Sequence, residues 1–168
     1  MITDQTPYRV MSDHLGRLAD ALEDLVYHLE VESLVLSAGN HHRLARAASD
    51  VERSAAKVAE LELARGEFLR LEQPQWARMT LAELADSADE PWRGVLHLHR
   101  ERLDALRSSA ADRSDECGRA ARLAARRNRE MLDVVAGPAE PLVEGFGRAP
   151  VGAFSAARPA PILVDRSV

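Results

Sequence analysis

The hydrophobic positions along this chain recur at alternating steps of three and four residues, the signature of helices that pack through a narrow seam. The first series runs Leu15, Leu18, Leu22, Leu25, Leu29 and Leu36, with Asp20, Glu23, Asp24 and Glu30 on the opposite face. It predicts an amphipathic helix of about 26 residues, roughly 40 Å long, capped by Ser12 or Asp13. A second series, Leu44, Ala48, Val51, Ala55, Val58 and Leu61, continues after a one-residue slip through Ala64, Phe68 and Leu71, predicting a helix from about His42 to Leu71. Gly39-Asn40 separates the two: glycine is the favoured residue just past a helix end, and asparagine caps the next one. A connection this short makes the two helices antiparallel neighbours. Gly66, inside the second, costs about 1 kcal/mol relative to alanine and is expected to mark a bend or a close helix approach.

The third series is the longest: Leu96, His99, Leu103, Leu106, Ala110, Arg113, Cys117, Ala120, Ala124, Arg127, Met131 and Val134. Glu90-Pro91 opens it and Gly137-Pro138 closes it, so one helix from Trp92 to about Val135, roughly 65 Å long, is expected. Between the second and third series, Gln73-Pro74 is a stop, and Thr80-Leu81-Ala82-Glu83 matches a capping box. That box predicts a short helix, ending before Asp86, that turns the chain back. Residues 1–11 are polar and aperiodic and are expected to form a loose arm. From residue 137 to 168 Pro, Gly and Ala dominate, and a flexible tail is expected. The predicted fold class is therefore all-α: an antiparallel helical hairpin packed on one long C-terminal helix, an elongated coiled-coil-like bundle over 12–136 with a short corner helix.

Composition agrees with a narrow seam. The chain of 168 residues is 46% hydrophobic but only 4% aromatic, and 29% of it is charged. A net charge of -5 weighs against nucleic acid as a partner. The basic run Arg119, Arg122, Arg126, Arg127 and Arg129 has no aromatic among it to stack a base, and Asp112, Asp115, Glu116, Glu130 and Asp133 flank it. A solvated face, or a face that ion-pairs with a partner, is the expectation there. One cysteine allows no internal disulfide, the N-terminus lacks the features of a secretory signal, and no apolar run is long enough to span a membrane. A cytoplasmic location is expected.

No motif for catalysis or a cofactor is present. His97 and His99 stand two apart on a helix and point away from each other, and His41-His42 lacks a ligand three or four residues on. Cys117 lies mid-helix on the seam with no histidine one turn away, which suits a packed thiol better than a nucleophile. Neither metal, cofactor nor enzymatic activity is expected. What stands out is a mismatch of lengths. A helix of roughly 65 Å paired with a hairpin of roughly 40–45 Å leaves on the order of 20 Å uncovered. That uncovered part is expected around Arg119 to Val135, with Leu123, Met131, Leu132, Val134 and Val135 as apolar points.

The order of these parts resembles a known family. The stretch LEDLVYHLEVESLVLSAGNHHRLARAASDVE, then TLAEL at Thr80 to Leu84 and EPW at Glu90 to Trp92 before one long helix, is similar to the FlgN flagellar export chaperones of high-GC Gram-positive bacteria. The resemblance covers about Leu15 to Val135. It implies a cytoplasmic, non-enzymatic chaperone that binds hook-filament junction proteins, prevents their premature assembly and delivers them to the type III export gate. It further implies that the C-terminal half of the long helix holds the substrate, through Arg119, Leu123, Arg126, Asn128, Met131, Leu132 and Val135. The chain departs from the family at Asp115 to Arg127, where arginines stand in place of Asn and Leu. The alternative is a homo-oligomeric coiled-coil scaffold, in which the long helix of a second copy covers the first and the protein is a homodimer.

Overall fold

A leucine every three or four residues gives a helix one apolar stripe, and a single stripe can be shared by two neighbours if both lie against its edges. In the computed structural model, which describes residues 5–136, the first helix, α1 (Thr6–Ser37), takes that shared place. Its stripe of Met11, Leu15, Leu18, Leu22, Leu25 and Leu29 is buried between α2 (His41–Leu71) and the long α4 (Trp92–Ala136). The seven-residue α3 (Leu81–Ser87) packs on α4. The described residues form no strand, and the hairpin, the corner helix and the long C-terminal helix are all present as expected.

Two pairs of contacts fix the directions. His28 on α1 meets Ser54 on α2, and the His14 ring lies tilted 5.4 Å from that of Phe68, so α2 runs antiparallel to α1. Ser12 meets His99 and Leu29 meets Cys117, so α4 runs parallel to α1 with a constant offset.

The turn between α1 and α2 forms a Schellman cap. Gly39 adopts φ +66°, the Asn40 N–H donates to the Val35 carbonyl (3.2 Å) and the Gly39 N–H donates to the Leu36 carbonyl (3.2 Å). Asn40 then occupies the N-cap position of α2 without a side-chain cap bond. At the corner, the Glu83 N–H donates to Thr80 Oγ1 (3.1 Å) and the Thr80 N–H donates to Glu83 Oε2 (2.7 Å), completing the capping box read from the sequence. These bonds hold the Glu83 carboxyl below its ordinary pKa.

Three expectations need correction. The loose arm over 1–11 is cut short, because α1 starts at Thr6 with Pro7 in its first turn, where a missing N–H costs nothing. Met11 and Tyr8 then join the core, Tyr8 lying 4.7 Å from the Trp76 ring and 6.0 Å from that of Trp92. The one-residue slip in α2 does not occur. Ala47 and Ser54 face inward more fully than Ala48 and Ala55, Leu69 is buried and Leu71 is exposed, so the three-four rhythm continues through polar positions. Ser54 tolerates its place because His28 Nδ1 lies 2.7 Å from its hydroxyl. Gly66 marks no close approach either, since nothing lies within 4 Å of where its Cβ would be. The expected tail over 137–168 lies outside the described residues.

The two glycines therefore predict opposite outcomes. Gly39→Ala forces a Cβ into a left-handed backbone and is expected to lower stability by about 1 kcal/mol. Gly66→Ala, in open space on a helix, is expected to raise it by up to about 1 kcal/mol. Urea unfolding of both variants checks the signs.

Candidate functional site

Burial along the α4 stripe declines steadily. Leu96 and Leu103 are fully enclosed, Leu106, Ala110 and Arg113 are partly covered, and Cys117 is the last buried member. Beyond it Ala120 and Ala124 are half-covered, and Arg127, Met131 and Val134 are exposed. The cause is a difference of length. Cys117 lies level with Leu29, so α1 runs out at Ser37 near residue 125 of α4, and the last part of α4 projects roughly 15–20 Å past the hairpin turn. Leu123, Met131, Leu132, Val134 and Val135 are 50%, 59%, 67%, 81% and 84% exposed.

The seven expected contact residues do not all share one face. At about 100° per residue, Leu123, Met131 and Val135 fall on one arc of about 120°, with Asn128 and then Leu132 at one edge. Arg119 and Arg126 lie outside the opposite edge, next to Leu123, and Arg126 is engaged by Glu130 (2.9 Å). Two residues inside the arc, Arg127 and Val134, are missing from that set although both belong to the continuous stripe. Both stand in the three-four stripe read from the sequence, which runs through them past the hairpin's end.

The covered part of α4 shows how this seam treats charge. Arg102 reaches Asp20 (3.1 Å) and Glu23 (2.8 Å) on α1, Arg107 reaches Glu62 on α2 (2.7 Å), and Arg113 meets Glu116 (2.9 Å) and Glu30 of α1 (4.0 Å). Each is an exposed pair of small energetic weight, more suited to fixing register than to stability. Arg119 and Arg122, just before the projection, and Arg127 and Arg129 within it have no ion-pair partner among the described residues.

The base of the projection carries two unfavourable groups. Glu32 occupies the stripe of α1 between Leu29 and Leu36, and burial, then Glu52, raises its pKa above the ordinary carboxylate value. Cys117 donates its S–H to the Leu29 carbonyl (2.9 Å), and burial, followed by Glu32, pushes the thiol up to about 11. Both groups are driven toward their neutral forms at this level of the seam.

Four of the six histidines, His14, His28, His97 and His99, are engaged in ring contacts, hydrogen bonds or an ion pair, and His41 and His42 are exposed. His99 Nε2 lies 2.8 Å from Ser12 Oγ, and its pKa is lowered by burial and then by Arg102. His14, beside Phe68, is lowered chiefly by burial, and His97 pairs with Asp86 (3.0 Å). Among the described residues no three His, Cys, Asp or Glu side chains gather as a metal site requires. An open groove of about 410 Å³ between α1 and α2 is lined by Asp24, His28, Arg46, Asp50, Ser54 and Lys57, among others. Cations and carboxylates alternate along it, and it presents no field of one sign. No helix among the described residues is long and apolar enough to cross a membrane.

Two outcomes follow for Glu32 and Cys117. A carboxyl whose folded pKa is raised has its stability contribution intact below the unfolded value of 4.5 and loses it as pH rises through the folded one. Glu32→Leu is therefore expected to stabilise the protein at pH 7 by about 1 kcal/mol, with the gain shrinking toward pH 4, in thermal unfolding. For Cys117 the raised pKa means that stability is lost as pH climbs from 9.0 toward about 11. At pH 8 the folded thiol holds about a hundredfold less thiolate than the unfolded one, so alkylation should be slower by at least that factor until urea is added. Comparison with protein-family models, with curated proteins and with solved structures gave no significant match for this chain.

Proposed function

We propose that this chain is an export chaperone of the FlgN kind, a cytoplasmic binding protein and not an enzyme. In this reading it holds hook-filament junction proteins unassembled through the C-terminal half of α4 and passes them to the export gate. The observation that supports it most is that α4 outruns the hairpin with its seam still apolar, leaving Leu123, Met131, Val134 and Val135 exposed on a helix whose earlier turns are covered. The resemblance of Leu15 to Val135 to that family supplies the identity of the partner.

Physically, a substrate's amphipathic helix would complete the packing that α1 provides only as far as Ser37. Covering about 400 Å² of apolar surface supplies about 10 kcal/mol gross at about 25 cal/mol per Å², and ordering the partner and the helix end consumes much of it. The resulting affinity is moderate, which suits a cargo that must be released.

Met131→Asp and Leu132→Asp test the site. Both side chains are exposed, so the thermal midpoint is expected to move by less than about 2 °C, while capture of junction proteins from a flagellated host's lysate, identified by mass spectrometry, is lost. Leu103→Asp, at a fully buried position, is expected to unfold the protein and serves as the contrast. If the two exposed variants unfold as well, those residues belong to a core and the site is misplaced. Self-association with no junction protein captured would favour the homo-oligomeric coiled coil instead.

A further inference from the structure

We propose that the projecting seam of α4 is built for an acidic amphipathic helix, one that places a carboxylate opposite Arg127. This rests on reading 123–135 as a partner site, and it adds the chemistry of the partner. Arg113 and Arg127 are fourteen residues apart, two full heptads, and hold the same place in the stripe. Where α1 covers the stripe, the arginine at that place is held by Glu116 of its own helix (2.9 Å) and also reaches Glu30 of α1 (4.0 Å). Where α1 has ended, the equivalent arginine has no partner among the described residues, yet it lies between Ala124 and Met131 on the same apolar arc. A helix that continues the work of α1 must bring its own carboxylate to that level, or it buries an unpaired guanidinium at a cost of several kcal/mol.

The wider field points the same way. Between residues 119 and 135 there are five arginines against Glu130 and Asp133, in a chain whose overall charge is -5. A second copy of the chain laid along this face would set arginine against arginine, and like charges across a seam select against pairing. α1, the helix that α4 does accept, is acidic on the flank that faces it, through Asp20, Glu23 and Glu30. Nucleic acid is a poorer fit than an acidic helix. Four of the chain's aromatic rings, Tyr8, Phe68, Trp76 and Trp92, sit at the opposite end of the bundle, and the face instead offers aliphatic side chains.

The test uses the full chain and two synthetic helical peptides of about three heptads, both with Leu at the seam positions and with either Glu or Lys beside them. Fluorescence anisotropy at about 50 mM salt should show the Glu peptide binding at least about tenfold more tightly than the Lys peptide, with the gap narrowing as salt rises. Arg127→Glu should reverse that preference, whereas Arg78→Glu, an exposed position beside Trp76 at the opposite end of the bundle, should leave the order unchanged. Equal affinities, a preference for Lys, no binding, or an unchanged order in Arg127→Glu would each overturn the proposal. So would displacement of the Glu peptide by a single-stranded oligonucleotide at the same charge concentration, or a dimer in sedimentation that excludes both peptides. Junction proteins captured without any charge preference would leave the chaperone reading standing and remove this one. A charge-dependent peptide site with no junction protein captured would do the reverse.

Discussion

Everything in this bundle depends on one apolar stripe being shared by two partners. The leucines of α1 form a continuous hydrophobic surface along the bundle, and both α2 and α4 pack against it. α2 and α4 approach each other through long side chains, Arg107 to Glu62, with no close run of backbone between them. The reach of α1 therefore sets the reach of the core. Once α1 ends at Ser37, no described residue buries the rest of α4, whatever its own sequence prefers.

The two ends of the bundle differ because the chain spends its large side chains at one of them. Tyr8, Trp76 and Trp92 stack where the corner helix meets the starts of α1 and α4, and Met11, Phe68 and Leu96 lie within the same core. There each residue buries much area, and short segments such as α3 can be held by packing and a capping box. Toward the other end the α4 seam is made of Ala110, Arg113, Cys117 and Ala120, which bring helices close but bury little. Glu32 adds a carboxylate to the stripe at that level. Contact thins there before the backbone parts company.

Much of this was legible in the residues. The three-four rhythm, Gly39, the Thr80–Glu83 box and the Pro-bounded limits of α4 located the four helices, because each is a local signal with a local cause. What escaped was the polar seam position of α2 and the start of α1. Ser54 needed knowledge of His28 across the interface, and without it the α2 rhythm looked broken. The start of α1 was missed because Tyr8 and Met11 gain their reason for being helical only from Trp76 and Trp92, far away in sequence. At the candidate site the length mismatch was visible, but the contacts were carried over from the family resemblance and passed over Arg127, which stands in the stripe.

The projecting part of α4 also has a distinctive thermodynamic position. A helix of about a dozen residues without tertiary cover is marginal in water, and most helical stability in proteins comes from packing of the apolar face. This segment has Ala-rich composition and the Arg126–Glu130 pair in its favour, with Gly118 at its base against it. It is continuous with a well-packed helix, so it has no separate nucleus to form, yet each turn beyond residue 125 adds no buried area to hold it. A ligand that lies along it must then supply the free energy that α1 supplies below, and part of that is used in fixing the last turns. Affinity and helix order become one linked quantity: substitutions that strengthen the free helix would tighten binding without touching the partner, and those that weaken it would speed release. On the proposed reading, a projection that is apolar on one arc, with arginines beside and within it, would recognise a ligand by charge and let it go again.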